Sequence, residues 1–174
     1  MPRTTPARAL AATLLACALL TGLVGCGDDD GGPRRVGKVL DTTDDDGHHF
    51  RQVPTEDAPE VGLIVQPDPR PDGGWDIRLR VSNFRFSADD AADRAVHGRG
   101  YAQLSLDGTR LTRLHAVDYR LPGTRVSRGT HKVTVRLYAD DGTVWAVEGR
   151  PVEATADLTA SGAETASPSA SPSP

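Results

Sequence analysis

Apolar and polar residues alternate with a period of two along the middle of the chain. In residues 75–81 an apolar side chain stands at every second position, between aspartate and arginine residues. The same alternation occurs in residues 101–106 and 132–137. This period places one face of a strand in a core and the other in solvent, so each segment predicts a half-buried β-strand. Further strand candidates are residues 61–66, 117–121, 143–147 and 152–158.

Turn signals separate these segments. Asp107-Gly108 and Asp141-Gly142 each follow a candidate strand, and Asp-Gly is typical of tight hairpins because both turn positions adopt a positive φ. Residues 87–95 hold a capping serine and good helix formers but no apolar stripe, so they predict at most a short turn. About seven short strands predict an all-β fold, an antiparallel immunoglobulin-like β-sandwich. The immunoglobulin-type cysteine pair is missing, so the likeness concerns architecture alone.

Composition divides the chain into four zones. Residues 1–25 predict a signal peptide, and nearly all the periodic apolar pattern falls in residues 61–158. Residues 26–60 are rich in Asp, Gly and Pro, and residues 159–174 in Ser, Pro and Ala. Such segments bury too little apolar surface to offset the entropy lost on ordering. They predict a disordered acidic tether and a disordered tail on either side of the sandwich.

The N-terminal zone has the features of an export signal. Arg3 and Arg8 supply a short positive region, and residues 9–20 form an uncharged apolar run. A membrane-spanning helix needs about 20 apolar residues, whereas the apolar part of a signal peptide needs only about 7–15. The run is therefore interpreted as a signal peptide, which predicts an extracytoplasmic protein.

The sequence Leu23-Val24-Gly25-Cys26 resembles the lipobox of bacterial lipoprotein signals. The resemblance implies cleavage between Gly25 and Cys26, and a diacylglycerol thioether on Cys26 that anchors the protein to the cell membrane. An ordinary secretory signal and an uncleaved anchor are the alternatives. The only other cysteine is Cys17, within the signal, so the mature chain has neither a free thiol nor a disulfide.

The charge balance bears on partners. The net charge of the chain is −4, and it becomes −6 on removal of the signal, which carries two arginines and no acid. Phosphate binding requires a positive footprint, so a nucleic acid is not an expected partner. The expected partners are the membrane, through the lipid anchor, and a cell-wall component or an envelope protein.

The globular zone also resembles a largely uncharacterised family of small exported bacterial β-sandwich domains. The family reads G-x-G-H-A-H-L, followed by Y-H-L-P and G-x-H-x-V. In this chain Tyr101 and Gln103 stand at the positions of the two histidines in G-H-A-H, and Arg120 stands at the position of the histidine in Y-H-L-P. The family also has an Asp-His pair after its penultimate strand, and Asp140 lies at the first position of that pair. Of the family's histidine positions, only the one at His131 still holds a histidine. The resemblance implies a sandwich, and it implies that most of any histidine-based metal shell is lost. The matching segments are residues 74–86, 98–108, 119–122 and 129–133.

Five histidines and several acidic runs offer possible metal ligands. A transition-metal site needs three or four converging ligands. His48 and His49, with the acidic residues 44–46, are the best candidates for a weak copper or zinc site; otherwise no cofactor is expected. The same acidic run fails the calcium-loop template, which requires Asp at its first position and Glu at its twelfth.

Catalytic patterns are sparse. No G-x-S-x-G occurs, and Ser82, Ser105 and Ser127 fall on strands or plain loops, so we do not expect an enzyme. Trp75 and Trp145 are interpreted as core residues, with a binding platform as the alternative. Arginines 78, 80 and 85 form a row that could meet acidic envelope polymers or lipid headgroups. The sequence therefore predicts a non-enzymatic envelope-binding lipoprotein, with metal handling (Cu or Zn) as the second hypothesis.

Overall fold

The computed structural model describes residues 36–70 and 73–161, which form strands and two short 3-10 helices. No α-helix occurs in these residues. The strands are β1 Lys38–Thr43, β2 His49–Gln52, β3 Glu60–Pro67, β4 Trp75–Ser82, β5 Arg85–Phe86, β6 Arg99–Leu106, β7 Thr109–Leu114, β8 Asp118–Leu121, β9 Gly129–Tyr138, β10 Val144–Val147, β11 Arg150–Pro151 and β12 Glu153–Ala160; the 3-10 helices are Thr55–Asp57 and Gly123–Arg125.

The strands form two sheets. The small sheet has the order β3-β4-β8 and is antiparallel throughout. The large sheet has nine strands, with β6 and β9 at its centre, β7 beside β6, and β12 beside β9. At one end of β9 the sheet continues through β10 and β2 to β1. Two of its pairings, β2 with β10 and β5 with β6, are parallel.

A single core fills the space between the sheets. Trp75, Ile77 and Leu79 of the small sheet are buried against the large sheet, whose β9 contributes Val133 and Val135. Each fully buried side chain of this size stabilises the fold by about 1.5–3 kcal/mol relative to an exposed one. The all-β sandwich is therefore confirmed. The structure does not confirm an immunoglobulin-like strand order, because residues 36–70 and 73–161 form twelve strands rather than about seven, and the large sheet is mixed.

The tether prediction is wrong for residues 36–60. Residues 38–52 form the β1–β2 hairpin, in which Phe50 is buried and β2 pairs with β10. The sequence does not indicate this hairpin, because most of its other residues are polar and apolar residues do not alternate along it. At the other end, β12 continues to Ala160, past the predicted start of the tail. Residues 26–35 and 162–174 lie outside the described residues.

The turns differ in type. Asp107 and Gly108 both have a positive φ, 51° and 80°, as the two-residue hairpin requires. The β9–β10 turn is longer: the amide of Ala139 donates to the carbonyl of Thr143, and of the predicted turn pair only Gly142 has a positive φ. Residues 87–95 form turns, as expected.

Candidate functional site

The β1–β2 hairpin covers part of the outer face of the large sheet. Successive residues of a strand point to opposite faces, so Tyr101 and Tyr138 lie on the outer face, away from the main core. They form a second buried cluster with Phe50, Val144 and Ala146. The hairpin is thus held by apolar contacts as well as by backbone pairing.

Aromatic rings form a row across this face. The rings of Tyr101 and Tyr138 stack with centroids 5.3 Å apart and an interplanar angle of 7°. His48 meets Tyr138 edge-on at 5.3 Å, and His115 stacks on Tyr101 at 6.0 Å. The guanidinium of Arg113 lies 4.5 Å from the Tyr101 ring centroid, within cation–π range. These contacts fix the side chains that border the neighbouring groove.

Asp44, at the hairpin turn, is a buried carboxylate whose side chain is only 1% exposed. Its Oδ1 accepts hydrogen bonds from the backbone amides of Asp46 and His48, at 3.1 and 2.8 Å. Its Oδ2 accepts from the Tyr138 hydroxyl at 2.8 Å and from Arg136 Nη1 at 3.1 Å. Every oxygen of this buried charge therefore has partners, as such a charge requires.

These contacts move two pKa values in opposite directions. Burial raises the pKa of Asp44, but hydrogen bonds from the His48 amide, Tyr138 and the His48 ring outweigh it and lower the value to about 2. Burial, and then the hydrogen bond to Asp44, raise the pKa of Tyr138 to about 12. The tyrosine therefore remains a donor and the aspartate an acceptor over the physiological range.

A polar groove of about 320 Å³ lies beside this turn, on the outer surface of β6, β9 and β12. Its cations are largely paired: Arg110 contacts Asp46 at 2.9 Å, and Arg136 contacts Glu153 at 2.8 Å. Its lining comprises the side chains of Gln103, Ser105, Thr134 and Thr155, the cations Arg110, Lys132 and Arg136, the acids Asp45, Asp46 and Glu153, and also Gly108 and Tyr138.

Gln103 has a fixed orientation in the groove wall. The residue is 7% exposed, and its amide nitrogen donates to the carbonyl oxygens of Leu104 and Thr112, at 3.0 and 2.9 Å. These carbonyls lie at the bulge in the β6–β7 pairing. Both neighbours are acceptors, so the nitrogen must face them and Oε1 must point away.

The predicted metal ligands separate in the structure. The Nδ1 of His49 bonds to the carbonyl of Leu40 at 2.9 Å, whereas His48 turns toward Asp44. Ligand atoms of Asp44, Asp46 and His48 lie within 4.8 Å of one another, the only such group in residues 36–70 and 73–161. Arg110 Nη2 lies 3.0 Å from His48 Nδ1, so a cation already neighbours this cluster. The structure thus pairs His48, and not His49, with the acidic run.

The positions named by the family resemblance do not share one site. Tyr101 and Gln103 lie on the outer face of the large sheet. Arg120 lies on the outer face of the small sheet, where it pairs with the buried carboxylate of Asp68. Asp140 accepts a hydrogen bond from the Ser87 hydroxyl at 2.8 Å. The residues that stand at the family's histidine positions are therefore distributed over both sheets.

His131 lies in an array that superficially matches a catalytic triad. Its Nδ1 is 2.6 Å from Asp107 Oδ2, and its Nε2 is 3.2 Å from Ser127 Oγ. However, Nε2 is closer, at 2.9 Å, to the Ser127 carbonyl oxygen. Hydrogen bonds to Asp107 and then Ser127 raise the pKa of His131, because both ring nitrogens donate. A triad needs a neutral Nε2 that accepts the serine proton, so this array is suited to fixing the β6–β7 turn.

The arginine row is interrupted. Arg78 pairs with Asp118 at 2.8 Å, and Arg80 lies on the same exposed face of β4. Arg85 belongs to β5, which pairs with the large sheet, so it does not extend the row. A shallow depression of about 480 Å³ on this face is lined by both charges, including Asp76. This face is therefore mixed in charge rather than a basic patch.

The two tryptophans are core residues. Trp75 is 2% exposed and Trp145 is fully buried. The indole nitrogen of Trp145 donates to the carbonyl of Arg99 at 3.3 Å, which satisfies its one polar group. The prediction of core packing is confirmed, and the alternative of a binding platform is wrong.

Comparison with known proteins adds no relatives: the chain matches no family model, no curated protein and no solved structure. Among the described residues, no helix has the length and apolar character needed to span a bilayer.

Proposed function

We propose that this protein is a lipid-anchored, extracytoplasmic lipoprotein that acts as a non-enzymatic binding module of the cell envelope. The observation that carries the proposal is the lipobox-like sequence ending at Cys26, ten positions before Val36, where the described domain begins. Ten residues span at most about 35 Å when fully extended. A lipid on Cys26 would therefore keep the sandwich close to the membrane surface.

The groove supports a binding role. It is concave and polar, and most of its side chains stand on paired strands, which hold their positions more firmly than loops do. Its arginines are engaged by carboxylates, whereas the amide oxygen of Gln103 and the hydroxyl groups can hydrogen-bond a ligand. Polar groups at fixed positions in a cleft are the usual basis of specific small-ligand recognition.

The first prediction concerns the anchor. Replacing Cys26 by serine removes the sulfur that would carry the lipid, so the protein should move from the membrane fraction to the soluble extracytoplasmic fraction. The measurement is fractionation of the host cells, with mass spectrometry of the N-terminal peptide. Cys17→Ser is the matched control, and this variant should remain in the membrane. Retention in washed membranes of Cys26→Ser that has lost its leader, or an unmodified Cys26 in the wild type, would contradict the proposal.

Metal handling is the second candidate function. The close approach of Asp44, Asp46 and His48 favours it. The contacts of Arg136 and Tyr138 with Asp44, and of Arg110 with His48, oppose it, because a metal ion would have to compete with these donors. A copper or zinc site here would be weak.

The second prediction separates the two functions. We expect titration of the mature chain with Cu²⁺ or Zn²⁺ to show no binding at micromolar concentrations, and no difference between His48→Ala and His49→Ala. If metal handling is the function, binding is measurable at micromolar concentrations and only His48→Ala abolishes it, because His49 faces Leu40 instead. Isothermal titration calorimetry measures both variants under identical conditions.

A further inference from the structure

We propose that the groove on β6, β9 and β12 binds a neutral sugar residue, such as one unit of an envelope glycan. This inference rests on the proposed envelope-binding function and names the ligand class for its site. It follows from three properties of the lining: an open, fixed hydrogen-bond acceptor, a group of hydroxyls, and charges that cancel.

The acceptor is the Oε1 atom of Gln103. No residue in the described part of the chain donates a hydrogen bond to it, and no fully buried side-chain nitrogen or oxygen there lacks a partner. The atom is therefore not fully buried, and Gln103 is one of the residues that line the groove. Because the amide nitrogen is held by Leu104 and Thr112, the oxygen is presented in one orientation. An acceptor that does not need to reorient costs little entropy on binding.

The hydroxyls lie on neighbouring strands. Thr134 and Thr155 stand opposite each other on β9 and β12, with their oxygens 3.2 Å apart, and either can donate to the other. Ser105 stands opposite Thr134 on β6, and its hydroxyl makes no hydrogen bond with the described residues. A hydroxyl group both donates and accepts, so this wall complements the hydroxyls of a sugar, which do the same.

The charges of the groove balance. Three cations, Arg110, Lys132 and Arg136, face three acids, Asp45, Asp46 and Glu153. A strongly anionic or cationic ligand would gain little net attraction from this lining. A neutral ligand with many hydroxyls can instead bond to both signs of charge. The volume of about 320 Å³ is at the lower end of the range for small-ligand pockets, which suits a single sugar residue.

The experiment uses the full mature chain with Cys26→Ser, which keeps it in solution, and two probes. The N-acetylglucosamine trimer is the neutral probe and the galacturonic acid trimer is the acidic one. In nitrogen-15 NMR spectra, the neutral trimer should shift the Gln103 side-chain amide and the backbone amides of Thr134 and Thr155. The acidic trimer should shift them less. The absence of any shift with the neutral trimer, or stronger binding of the acidic one, would overturn the inference.

Variants give a second readout. Ser105→Ala and Thr134→Val each remove one hydroxyl from the groove and should weaken binding of the neutral trimer about five- to tenfold, the value of one hydrogen bond. Thr130→Val is the matched control, because Thr130 pairs with Thr159 in the same way, at 3.3 Å, but does not line the groove. Equal affinity in all three variants would overturn the assignment of the site.

The failure of this inference is distinguishable from failure of the proposed function. If neither trimer binds but Cys26→Ser still leaves the membrane, the lipoprotein proposal stands and the ligand class is wrong. If the trimer binds but Cys26 carries no lipid, the groove assignment stands and the anchor is wrong.

Discussion

Asp44→Ala should lower the free energy of unfolding by about 3–5 kcal/mol, because each buried donor that loses its acceptor costs about 1–3 kcal/mol. The substitution removes the acceptor of Arg136 Nη1, the Tyr138 hydroxyl and two backbone amides, while Arg136 keeps its ion pair with Glu153. It also releases the β1–β2 turn from the outer face of the large sheet. Urea denaturation of the mature chain at neutral pH measures the change.

Asp46→Ala is the matched control, two positions away in the same turn. Its side chain is half exposed and, among the residues that the structure describes, its ion pair is with Arg110, so the loss should stay below about 1 kcal/mol. Equal losses of unfolding free energy in the two variants would show that the Asp44 contacts do not stabilise the turn.

The Asp44 carboxylate also makes the stability of the fold depend on pH in the acid range. The pKa of Asp44 falls from 3.8 to about 2 on folding, so its contribution is fully present above pH 3.8 and is lost as the pH falls through about 2. The shift corresponds to about 2 kcal/mol. Wild-type stability should decline over that interval more steeply than that of Asp44→Ala. If the stability of the wild type and of Asp44→Ala declines equally over this pH range, groups other than Asp44 cause the decline.

The sequence predicts the strands of the core well, for a local reason. Alternation in residues 75–81 and 132–137 follows directly from the pleat, which puts one set of side chains into the core. Asp107-Gly108 likewise encodes its own turn, because glycine and aspartate tolerate the positive φ that the hairpin requires. These features depend on neighbouring residues only, so they can be interpreted from a single sequence.

The β1–β2 hairpin could not be predicted in this way. Its stabilising contacts come from distant parts of the chain: Arg51 bonds to Asp141 at 2.5 Å and to Thr143 at 2.9 Å. Composition alone suggested a solvated tether. One local signal was present, since the amide of Gly47 bonds to the carbonyl of Asp44, and an Asp-x-x-Gly run is typical of such turns.

The groove also could not be predicted from the sequence, because it too depends on contacts between distant parts of the chain. Ser105 and Thr134 occupy the positions that alternation assigns to the solvent face, where polar residues are ordinary. Only the pairing of β6, β9 and β12 brings them side by side. The bulge that orients Gln103 is also a property of two strands together. A site on the outer face of a sheet is therefore difficult to recognise from the sequence of any single strand.

Gly100 lies on β6 where the backbone of β9 passes close to it. Gly100→Ala should destabilise the protein by at least about 4 kcal/mol, a loss reached only through severe local damage. Gly100 has a φ of 149°, and a Cβ atom there would lie 1.8 Å from the carbonyl oxygen of Tyr138 and 2.8 Å from its carbonyl carbon. Backbone atoms of a central strand cannot turn aside as a flexible side chain can, so β6 and β9 would have to separate at this point.

Gly129→Ala separates this clash from backbone strain. Gly129 also has a positive φ, 133°, but no atom lies within 4 Å of the added carbon, so only about 1–3 kcal/mol of strain is expected. Thermal unfolding followed by circular dichroism compares the two variants. Separation of β6 and β9 at Gly100 would also disturb the Tyr101–Tyr138 stack, so Gly100→Ala should lose near-ultraviolet tyrosine signal even where it remains folded. Equal losses of stability in both variants, with the aromatic signal retained, would show that β6 and β9 do not approach as closely as the structure places them.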